Sequence, residues 1–305
     1  MTRVAVLGAG NMAGAMVGTL RRAGLDVTVW NRTRERGQAV AETHGATTAS
    51  TAAEAVRSAE IVLSSLADDE AVLATYLGDD GAASGAGPDH VLLEMSTIAP
   101  ATVLQVGEAV ASGGATFLDA PVSGSVPVVE KGELTIMVGG DEAALERARP
   151  ILDVLAAKVF HVGALGAGAT VKLAVNALVH AIDVGLSEAL VLAEKAGVDR
   201  SAAYDVFAAG AAAAPFVLYK RPAFEDPANA PLTFTLDLMA KDLDLILSLA
   251  KAVDAPMGQA ERNRELVDRA LAAGFAGRDM SAVAEYLRRS RSPSTSNGEP
   301  PPRPE

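Results

Sequence analysis

The chain has 305 residues, half of them hydrophobic and 21% charged, enough to bury a substantial core in one or two domains. Its formal charge of -12 opposes binding to nucleic acid, although a local basic pocket for a small anion is compatible with it. The absence of cysteine removes disulfides, thiolate metal sites and cysteine nucleophiles together, and His44, His90, His161 and His180 are too scattered to suggest a metal cluster.

The N-terminus enters a strand-and-glycine pattern at once rather than a basic, apolar signal peptide, and no apolar run is expected to reach the roughly 18 residues of a bilayer span. A cytoplasmic protein with a small-molecule partner and no membrane is the expectation. From Arg3 to about Val162, β-branched runs alternate with Ala-rich amphipathic stretches: Val4 to Leu7, Val27 to Trp30, Ile61 to Leu63, Val91 to Leu93, Phe117-Leu118 and Leu134 to Val138. That rhythm predicts a mostly parallel sheet with helices on both faces. From Gly166 apolar residues recur at helical spacing until Gly197, which predicts one long helix, nearly uniformly apolar and therefore expected to pack within a second subunit. Further helices are predicted near 202–209, 236–253 and 261–273, with joints around Pro222 to Pro231. The predicted domains are 1–163 (α/β), 164–289 (all-helical, carrying the long interdomain helix) and a disordered Pro- and Ser-rich tail, 290–305. A homodimer is expected.

Gly8-Ala9-Gly10-Asn11-Met12-Ala13-Gly14 follows the first strand and opens a helix. In that context Gly8 allows the tight turn, Gly10 lets the backbone approach a pyrophosphate, and amides at Asn11 and Met12 can donate to it. This is the fingerprint of a doubly wound Rossmann domain; the alternative is a glycine turn without ligand. At the end of the second strand, where an acidic residue would hold the 2′-hydroxyl of NAD, stand Asn31-Arg32-Thr33. These can donate to a 2′-phosphate, so NADP(H) is expected in preference to NAD(H); a solvated basic helix start is the other reading.

In the long helix Gly168, Lys172 and Asn176 fall at i, i+4 and i+8 on one face, and the glycine allows another group to approach closely. A lysine among apolar neighbours is suited to proton transfer, but on spacing alone it reads equally as one snorkelling to solvent. Ser123 and the Gly124 amide are neutral donors suited to a carboxylate, or else an ordinary turn. Thr97 either contacts substrate or caps the helix after Pro100. Lys241-Asp242 is open to reading as a local helix pair.

Four ordered motifs, Gly8 to Met16, Asp119-Ala120-Pro121-Val122-Ser123-Gly124, Gly168-xxx-Lys172-xxx-Asn176 and Lys241-Asp242-Leu243, together with Ser96-Thr97-Ile98-Ala99-Pro100, resemble those of the β-hydroxyacid dehydrogenase family. The resemblance runs from Val4 to about Leu287. It implies that Ser123, Gly124 and Thr97 bind a small carboxylate substrate, that Asn176 orients it, that Lys172 supplies or takes the proton, and that Leu66, Ala67, Ser96 and Lys241 lie along the cofactor. It implies no metal. Two departures stand out: Ser125 occupies a usual glycine position, closer to the semialdehyde-reductase branch, and Leu66-Ala67 replaces a usual Leu-Pro. Residues 211–216 also lack polar anchors, which allows a bulkier or more apolar substrate. Imine reduction on the same fold, a non-catalytic NADP-binding module and a decarboxylating role like that of 6-phosphogluconate dehydrogenase are the competing readings. Retention of Lys172 speaks against the first, intact Ser123, Lys172 and Asn176 against the second, and the want of an appended domain against the third.

Overall fold

The computed structural model describes residues 2–290; the predicted disordered tail, from residue 291 on, lies outside them. By contact the described residues divide into two compact units, one of residues 2–176 with 248–254, the other of residues 177–247 with 255–290. This division by contact falls within the long helix.

In the first unit, β1 (Arg3–Leu7), α1 (Asn11–Arg22), β2 (Asp26–Trp30), α2 (Arg34–His44), β3 (Thr47–Thr48), α3 (Ala52–Arg57) and β4 (Ile61–Ser64) form the first half of the sheet with its crossovers. Then come α4 (Asp69–Leu77), α5 (Ala82–Gly85), β5 (Val91–Glu94), α6 (Pro100–Ser112) and β6 (Thr116–Asp119). Short polar caps fix the crossovers: Thr51 accepts the Glu54 N–H at 3.0 Å and Asp68 accepts the Ala71 N–H at 2.8 Å. The two-residue β7 (Val122–Ser123), α7 (Val126–Glu130), β8 (Leu134–Gly139), α8 (Glu142–Leu155) and β9 (Ala156–Gly163) complete the unit before α9 (Ala167–Lys195) begins.

The strand order is β3-β2-β1-β4-β5-β6-β8-β7, with β9 beside β8. The sheet is parallel from β3 to β6 and again between β8 and β9, and antiparallel where β8 meets β6 and β7, so the prediction of a mostly parallel sheet holds. Alternation along β1 shows why both faces are covered. Val4 and Val6 join Met16, Val17 and Leu20 of α1 in one core, whereas Ala5 and Leu7 join Val72 and Tyr76 of α4 and Val103 and Val106 of α6 in another. Burying both faces demands the near-continuous apolar runs seen in β4 and β5.

The second unit is helical: the rest of α9, α10 (Arg200–Ala209), α11 (Pro215–Glu225), α12 (Leu236–Ala252, of which residues 248–252 count with the first unit), α13 (Gly258–Ala270) and, after a π turn at Leu271–Phe275, α14 (Ala282–Arg289). Pro222, predicted to lie in a joint, sits inside α11, where the helix accepts it at the cost of one backbone bond. Glu194 gathers Arg200 and Arg288, so one carboxylate ties α9, α10 and α14.

Two expectations about α9 change. An 18-residue window of it reaches a mean hydropathy of 1.5, long and apolar enough by composition to cross a membrane, contrary to the expectation that no run would. Within that window 44% of the residues are buried inside the protein. Nor is α9 nearly uniformly apolar, because His180, Asp183 and Ser187 are buried on it while Leu178 and Leu192 are 64% and 73% exposed. Burial pushes the Asp183 carboxyl up to about 8, against the nearby Lys220 ammonium, which is itself held by Asp279 at 2.6 Å. A carboxyl raised on folding leaves the native state holding a proton that the unfolded chain has shed, so stability falls as pH rises from about 4 toward 8. Asp183→Asn should therefore gain in melting temperature over the parent progressively between pH 5 and 8; a pH-independent difference would contradict it.

Candidate active site

In the parallel half the strand order reverses between β1 and β4, and the loops after β1, β2, β4 and β5 gather at the carboxyl ends of neighbouring strands, the place where such sheets form a crevice. Gly8 takes φ +119°, and a Cβ on it would stand 2.3 Å from the Ser65 carbonyl oxygen, so the turn requires glycine and packs directly on the loop after β4. Its N–H donates to the Trp30 carbonyl at 2.8 Å. Gly10 differs: it is exposed at the N-cap of α1, and a Cβ there would meet no protein atom within 4 Å. No side chain caps this helix and no acidic residue stands in its first turn, which leaves the amides around Asn11 and Met12 an anion-compatible, open front. These features fit the pyrophosphate of a dinucleotide.

Asn31 accepts the Ala9 N–H through Oδ1 at 3.1 Å and donates through Nδ2 to the Thr33 carbonyl at 2.8 Å. Its amide is thus engaged in joining the two loops, which leaves Arg32 and Thr33 as the exposed donors; Thr33 sits at the N-cap of α2 without using its hydroxyl there. On the other side of the crevice the Leu66 N–H donates to Ser96 Oγ at 2.7 Å, joining the loops after β4 and β5, while Ala67 is exposed. Thr97 does not cap α6. Ala99 holds the cap position, and Asp69 takes the Ala99 N–H at 2.9 Å and the Thr102 hydroxyl at 2.5 Å.

The motifs at 119–124 and 168–176 share a foundation. Asp119, the last residue of β6, accepts the N–H groups of Gly166 at 2.9 Å and Ala169 at 2.7 Å and so fixes the start of α9. Burial raises its pKa, and the amide donors at the start of α9 oppose that rise. A Cβ on Gly168 would lie 2.5 Å from the Met137 carbonyl oxygen and 2.9 Å from that of Asp119, so the motif's glycine is a docking position that sets α9 directly on β8 and β6. Lys172, half-buried, and Asn176, buried, follow one and two turns later. Ser123 pairs with Thr135 of β8, and Gly124, at φ +142°, would strike Leu134 and Val128 with any Cβ. Both motifs are therefore fixed to the same strand. Lys241 lies in the second unit, half-buried on α12, with its ammonium 3.2 Å from Asp242 Oδ1. That contact is the local helix pair foreseen in the sequence, and Asp242 is also 3.8 Å from His180 Nε2 of α9.

The model of the NAD-binding domain of 6-phosphogluconate dehydrogenase matches residues 3–163, and that of the NAD-binding region of NADP-dependent 3-hydroxyisobutyrate dehydrogenase matches residues 166–287. The 3-hydroxyisobutyrate dehydrogenase of Pseudomonas aeruginosa is 36% identical, covering 94% of this chain and 99% of that protein. The chain belongs to the β-hydroxyacid dehydrogenase family. Glyoxylate/succinic semialdehyde reductase 1 of Arabidopsis thaliana is 33% identical over 94% of this chain and 99% of its own length. A Mycobacterium tuberculosis 3-hydroxyisobutyrate dehydrogenase, solved with L-serine, superposes with a TM-score of 0.83 at 34% identity, covering 94% of this chain and 99% of that one. Family membership makes this an NAD(P)-dependent oxidoreductase.

Two acidic residues at this β-hydroxyacid dehydrogenase site were not singled out in the sequence: Asp119, inside the substrate motif, and Glu94. Each ends an apolar strand and is about 1% exposed. That position is the available signal, because a carboxylate closing a buried strand must find internal donors.

Proposed function

We propose that the protein transfers hydride between NADP(H) and a small β-hydroxyacid or the corresponding semialdehyde, with Lys172 as the proton donor or acceptor. The observation that carries the reading is the shared foundation of the two motifs: the Ser123-Gly124 turn and the start of α9 are both fixed on β8, and α9 carries Lys172 and Asn176. The bound nicotinamide supplies or takes the hydride. Ser123 and the Gly124 amide bind the carboxylate, Asn176 orients the carbonyl, and the Lys172 ammonium gives its proton to the oxygen in reduction or takes it back in oxidation. Lys241 flanks the cofactor in this reading. The exposed leucines of α9, Leu178 and Leu192, support a homodimer in which that face is covered.

NADP(H) preference is supported by the absence of a carboxylate at 31–33 and by the exposed Arg32, whose guanidinium suits a phosphate. Arg32→Ala should weaken NADPH binding roughly tenfold or more while leaving NADH nearly unchanged, as read by titration calorimetry. Equal loss for both cofactors would refute the assignment. The reaction is tested by following NADPH oxidation with glyoxylate, succinic semialdehyde, tartronate semialdehyde and a cyclic imine. Turnover of an aldehydo acid supports the proposal; turnover of the imine alone moves the chain to imine reduction.

A further inference from the structure

Beneath the cofactor crevice a chain of polar groups runs from Ser96 to the buried Glu94, Ser64 and Tyr76, three residues that neither the hydride chemistry nor the motifs account for. Glu94, at the end of β5, accepts the Ser96 N–H through Oε1 at 2.8 Å and the Ser64 hydroxyl through Oε2 at 2.6 Å. Ser64, at the end of β4 and opposite Glu94 in the strand register, lies 2.6 Å from the hydroxyl of Tyr76 on α4. Ser96 passes the chain onward by accepting the Leu66 N–H at 2.7 Å. Glu94, Ser64 and Tyr76 are each 1% exposed or less, so the bonds among these three are shielded from water. The loop carrying Leu66 is also the one against which Gly8 packs.

The geometry points to Glu94 as a positioning residue that locks the loops after β4 and β5 to one another, and through Ser65 and Leu66 to the glycine turn, thereby preforming the surface that receives the dinucleotide. It rests on the dinucleotide reading of the crevice and touches neither substrate nor reacting atoms. Its carboxylate accepts at once from the end of β4 and from the loop after β5, one oxygen to each. Preformed loops spare the cofactor the cost of ordering them.

The charge of Glu94 belongs to the same device. Burial raises its carboxyl to about 7, against the Ser64 and Ser96 donors, with the Asp69 carboxylate of α4 adding to the rise. The other ionisable groups around it are Tyr76 of α4, itself pushed upward by burial and by Glu94, and Asp119, its register partner on β6, whose oxygens are taken by α9. A proton on Oε2 makes it a donor to Ser64 and forces Ser64 to redirect its hydrogen, for which the Leu93 carbonyl at 3.2 Å is the acceptor at hand, whereas a proton on Oε1 opposes the Ser96 N–H; either way a charge-assisted bond is lost. The ionised form therefore holds the loops better than the protonated one.

The test is cofactor binding, read by calorimetry with NADPH and NADH separately, on the parent and on Glu94→Ala, Glu94→Gln and Ser96→Ala, each checked for folding by circular dichroism. Glu94→Ala should raise Kd for both cofactors by roughly tenfold or more. Glu94→Gln keeps an acceptor for the Ser96 N–H and a donor for Ser64, and should bind within about threefold of the parent at pH 6. With NADH, which has no 2′-phosphate to titrate, the parent should bind more tightly as pH rises from 6 to 8, and Glu94→Gln should lose that change. A folded Glu94→Ala with unchanged Kd, or a Glu94→Gln that keeps the parent's pH dependence, overturns the proposal. Should Glu94→Ala not fold, Ser96→Ala decides: it should raise both Kd values about fivefold, and no change there overturns the proposal equally. Equal affinity of the parent for NADH and NADPH would sink the NADP preference proposed above while leaving these comparisons intact.

Discussion

Lys172→Ala is expected to lower kcat for reduction of an aldehydo acid by about 10²- to 10⁴-fold, the usual worth of a positioned general acid, while leaving Kd for NADPH within about threefold. The two effects separate because Lys172 rides on α9, one turn beyond its anchorage at Gly168, whereas the pyrophosphate surface is built from α1 and the glycine turn. A lysine that merely snorkelled to solvent would give a variant with nearly unchanged kcat, and that result would remove Lys172 from the mechanism. Asn176→Ala, two turns along and buried, should raise KM for the acid and lower kcat together, since a misoriented carbonyl loses both binding and proton transfer.

The second large effect is expected at Asp119. Asp119→Ala leaves the Gly166 and Ala169 amides without their acceptor inside the protein, each at a cost of about 1–3 kcal/mol. A loss of roughly 2–6 kcal/mol corresponds to a fall of order 10 °C in melting temperature for a chain of this size. Because the lost acceptor orients α9, kcat on the acid should fall further than cofactor affinity does. Asp119→Asn retains one carbonyl oxygen and should lie between. Gly168→Ala approaches the same joint from the other side, since its Cβ would have to displace the Met137 and Asp119 carbonyls, and it should reproduce the pattern of lost turnover with cofactor binding kept. A thermal shift of less than about 2 °C for Asp119→Ala would show that α9 is anchored by other means.

Much of the α/β half was legible because its strands are short, apolar and bounded by glycine turns. The runs at 4–7, 27–30, 61–63, 91–93, 117–118 and 134–138 all lie within strands of the sheet. What escaped were β3 and β7, each two residues long, and β9, whose Lys158 and His161 leave it exposed along much of its length and without a clean pattern. In the helical half α11 was missed because Pro222 reads as a breaker, and α14 because its eight residues follow a π turn that interrupts the periodicity.

The same division holds at the site. The chain order of Gly8, Gly10, Lys172 and Asn176, with their strand and helix contexts, follows from sequence alone, because a turn that demands positive φ and a helix face repeating every fourth residue are local properties. That Asn31 spends its amide on the glycine loop, that Thr97 leaves the capping of α6 to Ala99 with Asp69 beside it, that Asp119 takes amides at the start of α9 and that Glu94 takes the Ser64 hydroxyl are long-range facts. Ala9 and Asn31 are 22 positions apart, Leu66 and Ser96 30, and Asp119 and Ala169 50. Only the folded sheet, by setting the ends of its strands side by side in an order different from that of the chain, brings such donors and acceptors within 3 Å or so of each other.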